Sequence, residues 1–161
     1  DLKAASVLDE YQRRGGGVVT LHWAMEGREF GRELAERIGL ATSMSAYRHG
    51  PLELAFTGRD HPISRGFTTL RLVDESYWKY QGDPAKISAL ATQLEESRPQ
   101  TQLWTMEKGA ARVFGCVPGH YTWTFDDPLY RVLVLRGIAW AAHQDTRRLL
   151  ELSTVGARFA P

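Results

Sequence analysis

Three polar groups occur where this sequence could place chemistry at one edge of a β-sheet. Each follows a run of apolar or β-branched residues: His22, the pair Asp74–Glu75, and His120. In an open parallel sheet the carboxyl ends of the strands share one edge, and ligands bind there. We therefore expect these groups to converge, although they lie far apart along the chain.

Two imidazoles and a carboxylate suit a divalent transition metal such as zinc. They equally suit a metal-free acid–base site. The sequence has no local metal-binding motif, because it contains no His-Glu-x-x-His segment and no paired cysteines. Each group could also simply cap a strand or brace a turn, so the residue types alone leave these alternatives open.

The elements around His22 follow an α/β rhythm. Glycines 15–17 end an amphipathic helix, and 18–21 is a short apolar strand of the kind buried in parallel sheets. A second amphipathic helix follows over 26–39. We expect a mainly parallel central sheet with strand 18–21 inside it, covered by helices near 2–14, 26–39 and 127–143.

The remainder of the chain alternates between loops and short strands. We expect loops at 40–50 and 95–100, and strands at 52–57, 69–73, 87–92, 101–106 and 111–117. The last two are expected to pair as a hairpin. Cys116 lies within an apolar strand, so its thiol should be buried and unreactive.

Composition sets limits on the class of protein. The 161 residues carry a net charge of +1, from 20 basic and 19 acidic side chains. This balance argues against a general electrostatic grip on nucleic acid, and no apolar run approaches the roughly 20 residues of a membrane span. We expect one domain over 1–145 and a C-terminal tail over 146–161.

The sequence begins without an initiator methionine or a signal-peptide pattern. We therefore expect a further N-terminal segment, and the compartment, cytoplasmic or periplasmic, is left open. The lone cysteine does not decide between them.

Aromatic side chains follow closely on the polar groups. A flat aromatic face suits a sugar ring, whose C–H faces are apolar and whose hydroxyls need polar partners. Packing in the core explains any one of these aromatics equally well. The candidate substrate contacts are Trp23, His49, Tyr77, Trp78, Tyr121 and Trp123.

Several stretches resemble motifs of the trehalose-utilisation (ThuA-like) family. Residues 15–24 resemble its glycine-rich strand leading into a histidine. Residues 60–66 with 74–78 are similar to its acidic–aromatic motif, and 109–140 look like its C-terminal block. The stretches occur in the family's order and cover about residues 2–142.

The resemblance implies a flavodoxin-like three-layer sandwich related to glutamine amidotransferase domains, here lacking its N-terminal strands. Amidotransferases carry a cysteine at the strand-to-helix elbow, where this chain has His22. An imidazole cannot perform the thiolate attack on glutamine. We therefore do not expect amidotransferase activity.

The resemblance also implies a role in carbohydrate metabolism, with a disaccharide or 3-keto-sugar as the substrate. The expected catalytic residues, which are also the expected metal ligands, are His22, Glu75 and His120, with zinc as the metal. Glu75 is chosen over Asp74 by resemblance, and Asp74 should face the opposite side of its strand. Because the ligands must be deprotonated, metal binding should weaken as the pH falls through the histidine range.

Two other functions remain open at this stage. The chain could be a non-catalytic carbohydrate-binding or accessory module that works beside an oxidoreductase partner. It could also be an amidotransferase-like scaffold used in assembly. Neither the exact sugar nor homo-oligomer formation follows from the sequence.

Overall fold

The computed structural model describes residues 2–147 as an α/β fold. The predicted tail, 146–161, lies outside the described residues beyond position 147. The helices are α1 (Leu2–Arg13), α2 (Gly31–Ile38) and α3 (Pro128–Ala141). The strands are β1 (Val18–Leu21), β2 (Tyr47–Phe56), β3 (Thr69–Tyr77), β4 (Ser88–Glu95), β5 (Arg98–Lys108) and β6 (Ala111–Cys116).

The six strands form one mixed sheet in the order β1-β6-β5-β4-β2-β3. The prediction of a mainly parallel sheet is wrong, because β1 with β6 is the one parallel pair in the described sheet and every other pairing is antiparallel. Only two residues join β4 to β5, and two join β5 to β6. A parallel connection needs a dozen or more. Strand β1 also lies at an edge of the described sheet rather than inside it.

Each face of the sheet carries its own apolar cluster, which confirms the α/β class with helices on both faces. Val113 and Phe114 are neighbours on β6, so their side chains point to opposite faces. Phe114 packs in a cluster with Tyr130 and Leu133 of α3. Val113 belongs to a second cluster, which includes Ile38 of α2. None of the described helices is long and apolar enough to cross a lipid bilayer.

The predicted helix 26–39 is shorter than the sequence pattern suggests. Regular helix is confined to α2, which two short 3₁₀ turns precede. The Gly27 N–H donates to the carbonyl of Thr42, and the Thr42 N–H donates to the carbonyl of Met25, both at 2.9 Å. These backbone groups are therefore committed to a neighbouring segment and cannot continue a helix.

Strands β2 and β3 form an antiparallel ribbon, and both strands are longer than the predicted strands 52–57 and 69–73. They pair from Tyr47↔Tyr77 to Ala55↔Thr69, whereas β2 meets β4 at only two positions. The prediction of a loop over 40–50 is therefore wrong for its last residues, because β2 already begins at Tyr47. Pro51 is tolerated within β2 because this part of the strand bonds to β3 alone. The acidic pair at 74–75 consequently lies within β3, not after it.

Candidate functional site

Three side chains meet at the carboxyl edge of the parallel pair β1–β6. His22 Nε2 lies 3.1 Å from His120 Nδ1 and 3.2 Å from Glu75 Oε2. His120 Nδ1 lies 3.2 Å from the same carboxylate oxygen. The three atoms thus form a nearly equilateral triangle, which we call the His–Glu–His cluster. The side chains expected from the sequence to converge do lie together, and their roles stay predictions.

His22 reaches the cluster from a strained backbone position at the end of β1. Its φ of +49° is uncommon for a residue other than glycine. The imidazole Nδ1 lies 3.1 Å from the carbonyl oxygen of Val117. A carbonyl can only accept, so Nδ1 carries a hydrogen, and in the neutral ring Nε2 then presents its lone pair to the cluster.

Asp74 fixes the loop that carries His120. Its Oδ1 accepts hydrogen bonds of 3.0 Å from the backbone N–H groups of both Gly119 and His120. Its Oδ2 accepts a hydrogen bond from the hydroxyl of Thr124. The carboxylate is fully buried and bonds the loop backbone rather than the imidazoles.

Glu75 is the anionic centre of the cluster and is only 2% exposed. The Tyr77 hydroxyl donates to Oε2 at 3.1 Å, while His49 Nε2 lies 3.3 Å from Oε1. Burial, reinforced by the negative charge of Glu75, raises the pKa of Tyr77. Tyr77 therefore remains a neutral donor, and it touches the cluster from the protein interior instead of lining an open cleft.

Gln102 on β5 is a supporting residue that the sequence analysis missed. Its side-chain Nε2 donates to the Tyr77 carbonyl at 2.7 Å, and its Oε1 accepts from the Tyr77 N–H at 3.2 Å. Its own carbonyl accepts from the Val117 N–H at 2.9 Å. The buried side-chain amide thus ties the end of β3 to β5, and the backbone carbonyl of the same residue holds the start of the loop after β6. A glutamine inside a strand carries no sequence signal for this role.

The buried charge of Glu75 has to be compensated within the cluster. A buried carboxylate needs compensation by positive charge or by hydrogen bonds. Among the described residues, the ion-pair partners of Glu75 are His22, His49 and His120, with no lysine or arginine. The Tyr77 hydroxyl supplies one such hydrogen bond, and a protonated imidazole or a metal ion would supply positive charge.

The spacing of the cluster fits a metal. A tetrahedral zinc ion with bonds of about 2.0–2.1 Å holds neighbouring ligand atoms about 3.3–3.4 Å apart. The observed separations of 3.1–3.2 Å approach that value, and the three groups form a potential metal-binding set. The same separations also suit hydrogen bonds, so the acid–base alternative uses the same residues.

The predicted aromatic contacts fall into different environments. Tyr121 and Trp123 stack on each other beside His120, and the Tyr121 hydroxyl lies 2.9 Å from Nδ1 of His49. Trp23 is exposed in the turn that begins at His22. The Trp78 backbone N–H donates to the Ala46 carbonyl at 3.1 Å, and no hydrogen bond or ring contact among the described residues joins its side chain to the cluster.

His49 sits on β2, directly opposite Glu75 in the strand register. Its predicted place on a loop is therefore wrong, although it does lie beside the cluster. The ribbon pairing of β2 with β3 sets this position, and no local motif in the sequence indicates it.

The remaining reactive groups stay apart from the cluster. His61 braces a turn, where its Nδ1 accepts from the Ile63 N–H at 3.3 Å; burial lowers its pKa. Cys116 is fully buried, as predicted. Burial raises the pKa of its thiol from 9.0 to about 12.

Comparisons with known proteins point to one family. A family model described as ThuA, trehalose utilisation, matches residues 1–141. A ThuA-like protein from Parabacteroides merdae is 25% identical with a TM-score of 0.69, over 85% of this chain and 64% of that one. A ThuA-like protein from Bacteroides uniformis is 15% identical with a TM-score of 0.72, over 88% and 64% of the two chains.

A cytoplasmic protein from Salmonella typhimurium LT2 shares the fold, with 14% identity and a TM-score of 0.61 over 81% of this chain and 57% of that one. The chain thus spans less than two thirds of the length of these solved structures. No curated protein matches it.

Proposed function

Because the chain belongs to the ThuA (trehalose utilisation) family, we propose that it is an enzyme of carbohydrate metabolism whose reaction centre is the His–Glu–His cluster. One observation carries this proposal. The carboxylate of Glu75, 2% exposed, lies among imidazoles with no fixed cation beside it in the described part of the chain. Such an arrangement is costly unless a proton or metal is held there, which is typical of a functional site.

A divalent metal, most suitably zinc, would be held by His22 Nε2, His120 Nδ1 and Glu75 Oε2. Two histidines and one carboxylate are a ligand set used by catalytic zinc sites, which keep a further position open. When bound, such a metal polarises a carbonyl oxygen or activates a water molecule. The Val117 carbonyl supports this role because it holds the His22 proton on Nδ1.

The side chains around the cluster lie on two sides of it, one towards the protein interior and one towards solvent. The buried hydroxyl of Tyr77 holds Glu75 from the interior. The imidazoles of His120 and His49 are 39% and 43% exposed, so a substrate approaches from their side. His49 bridges Glu75 Oε1 and the Tyr121 hydroxyl through its two ring nitrogens, so we propose that its exposed ring contacts the substrate while these bonds hold its orientation. We propose a disaccharide or 3-keto-sugar as the substrate.

Glutamine amidotransfer is a poor fit to these residues. The position after β1 carries His22, which cannot form the thiolate needed to attack glutamine. The one cysteine, Cys116, is buried, and the pKa of its thiol is raised to about 12. At neutral pH almost none of it is thiolate.

The alternative function is a carbohydrate-binding or accessory module that works beside an oxidoreductase. The exposed ring of Trp123, stacked on Tyr121 beside His120, favours sugar contact in either case. The two proposals differ in what the cluster does: a binding module retains its sugar affinity and shows no turnover, with or without metal.

The test is the consumption of disaccharides and their 3-keto derivatives by the protein, metal-depleted and zinc-reconstituted. We expect turnover only in the reconstituted sample, and His120→Ala should lower it by about a hundredfold or more. His143→Asn is the matched control, because His143 is an exposed histidine with a φ of +56° that asparagine also adopts. Sugar binding without turnover in any sample would replace the enzyme proposal with the accessory module.

A further inference from the structure

A buried carboxylate outside the cluster joins three strands of the sheet. Glu95, the last residue of β4, is 5% exposed. Arg48 Nε on β2 donates to its Oε2 at 2.8 Å, and the Ser76 hydroxyl on β3 donates to its Oε1 at 2.6 Å. We call these three side chains the Glu95 network. The arginine compensates the buried charge, and both carboxylate oxygens have a hydrogen-bond partner.

The Glu95 network holds the residues next to two side chains of the site. Arg48 lies opposite Ser76 in the register of the β2–β3 ribbon. The next pair in that register is His49 opposite Glu75. Because neighbouring residues are joined by planar peptide units, a displacement of the first pair moves the second pair with it.

This end of the ribbon depends on side chains for its attachment to β4. Strand β2 pairs with β4 at only two positions, both at the opposite end of β2 from His49. Beyond them, Gln93 Oε1 accepts from the Glu53 N–H at 2.7 Å, and the Glu95 network makes the attachment nearest His49. A two-stranded ribbon is only marginally stable by itself, so these bonds set where its end lies.

A tight hairpin fixes the position of Glu95. Glu95 pairs with Arg98 of β5, and only Glu96 and Ser97 lie between them. Both have a positive φ, +49° and +61°, as the common two-residue hairpin turns require. The Glu95 carboxylate therefore extends towards the ribbon from a well-paired part of the sheet.

We propose that Glu95 is a positioning residue for the pair formed by His49 and Glu75. By holding their neighbours on both strands, it keeps His49 Nε2 at 3.3 Å from Glu75 Oε1. It acts through Arg48 and Ser76, because these residues occupy its two oxygens. The proposal rests on the proposed function only in taking the His–Glu–His cluster as the functional centre.

The first test measures the geometry without metal. Crystal structures of the full chain, treated with a chelator, are compared for wild type, Glu95→Ala and Gln93→Ala. We expect Glu95→Ala to widen the separation of His49 Nε2 and Glu75 Oε1 to more than about 4 Å, beyond ion-pair contact. Gln93→Ala is the matched control, because Gln93 is also buried on β4 and also bonds to β2, but at Glu53. It should leave the separation unchanged.

The second test measures zinc affinity by competition with a chromophoric chelator. Loss of a residue that supports the ligands lowers metal affinity by about tenfold or more. We expect about tenfold weaker zinc binding by Glu95→Ala and wild-type affinity for Gln93→Ala. A merely structural contribution of β4 would change the two variants alike.

Ser76→Ala takes the place of Glu95→Ala in both tests if the latter does not fold. It removes one hydroxyl and leaves the ion pair between Arg48 and Glu95 intact. We therefore expect a smaller loss of zinc affinity, about threefold. Circular dichroism of each variant shows whether it is folded.

The outcomes separate this proposal from the proposed function. A folded Glu95→Ala protein that keeps the 3.3 Å separation, or binds zinc as tightly as wild type, would overturn the positioning role. Equal losses in Glu95→Ala and Gln93→Ala would overturn it too. If the wild-type protein binds no zinc, the metal centre of the proposed function fails, while the metal-free structures still decide the role of Glu95.

Discussion

The buried carboxylate of Asp74 accepts a 3.0 Å hydrogen bond from the backbone N–H of His120, 46 residues further along the chain. The same oxygen accepts from Gly119, and the other oxygen accepts from Thr124. Strand β3 and the loop after β6 are thereby joined beside Glu75. Glu75 and His120 consequently reach the cluster as one supported unit.

Replacing Asp74 should destabilise the protein strongly. Asp74→Ala leaves the partly buried N–H groups of Gly119 and His120 without an acceptor, at a cost of about 3 kcal/mol in the free energy of unfolding. Thr124→Val removes only one hydroxyl from the same network and should cost about 1 kcal/mol. Urea unfolding followed by circular dichroism measures both values. Equal stabilities of Asp74→Ala and wild type would refute this account of the loop.

The Tyr77 hydroxyl should matter to the cluster more than to the fold. Tyr77→Phe removes the donor to Glu75 Oε2, and loss of such a supporting bond lowers metal affinity by about 10- to 100-fold. Competition with a chromophoric zinc chelator measures the change. Tyr80→Phe is the matched control, since its hydroxyl donates to the backbone carbonyls of Tyr77 and Thr101 rather than to the cluster side chains. If both variants bound zinc equally well, Tyr77 would have no special role.

Gly137 on α3 should not tolerate a methyl group. Alanine normally stabilises a helix by about 1 kcal/mol relative to glycine. Here a Cβ would lie 2.1 Å from the Phe114 ring, and overpacking of this kind costs about 1–3 kcal/mol. We expect Gly137→Ala to lower the free energy of unfolding, and to do so less in a Phe114→Leu background. A stabilised Gly137→Ala protein would show that α3 can move away from β6.

Cys116 should resist thiol reagents in the native protein. Its pKa is raised to about 12, above its ordinary value of 9.0, so the folded state holds the thiol proton more tightly than the unfolded state does. This contribution to stability is complete below about pH 9 and is lost as the pH rises towards 12. Labelling with a thiol reagent at pH 8 should be slow without urea and fast in its presence. Rapid native labelling is the contrary result.

The sequence predicts the two histidines well for a specific reason. His22 and His120 follow β1 and β6, and these strands are the parallel pair, with Leu21 opposite Cys116. The rule that parallel strands share a carboxyl edge therefore applies to them. Helix α3 is predicted equally well, because Asp127 caps it by accepting from the Tyr130 N–H.

The position of Glu75 in the cluster has a structural cause that the sequence does not reveal. It lies within antiparallel β3, and the long pairing of β3 with β2 brings it there along with His49. The Gln102 side chain holds the end of that ribbon through Tyr77. These contacts depend on tertiary register, for which no local residue pattern exists. The flavodoxin-like arrangement of the whole fold stays a prediction from resemblance.

The most direct test of the central claim is anomalous diffraction at the zinc edge, from crystals of the protein grown with one equivalent of zinc. We expect one strong peak about 2.0–2.2 Å from His22 Nε2, His120 Nδ1 and Glu75 Oε2. The same experiment on His120→Ala should show no peak at that position. A wild-type crystal whose zinc lies elsewhere, with the three side chains joined only by hydrogen bonds, would contradict the metal centre.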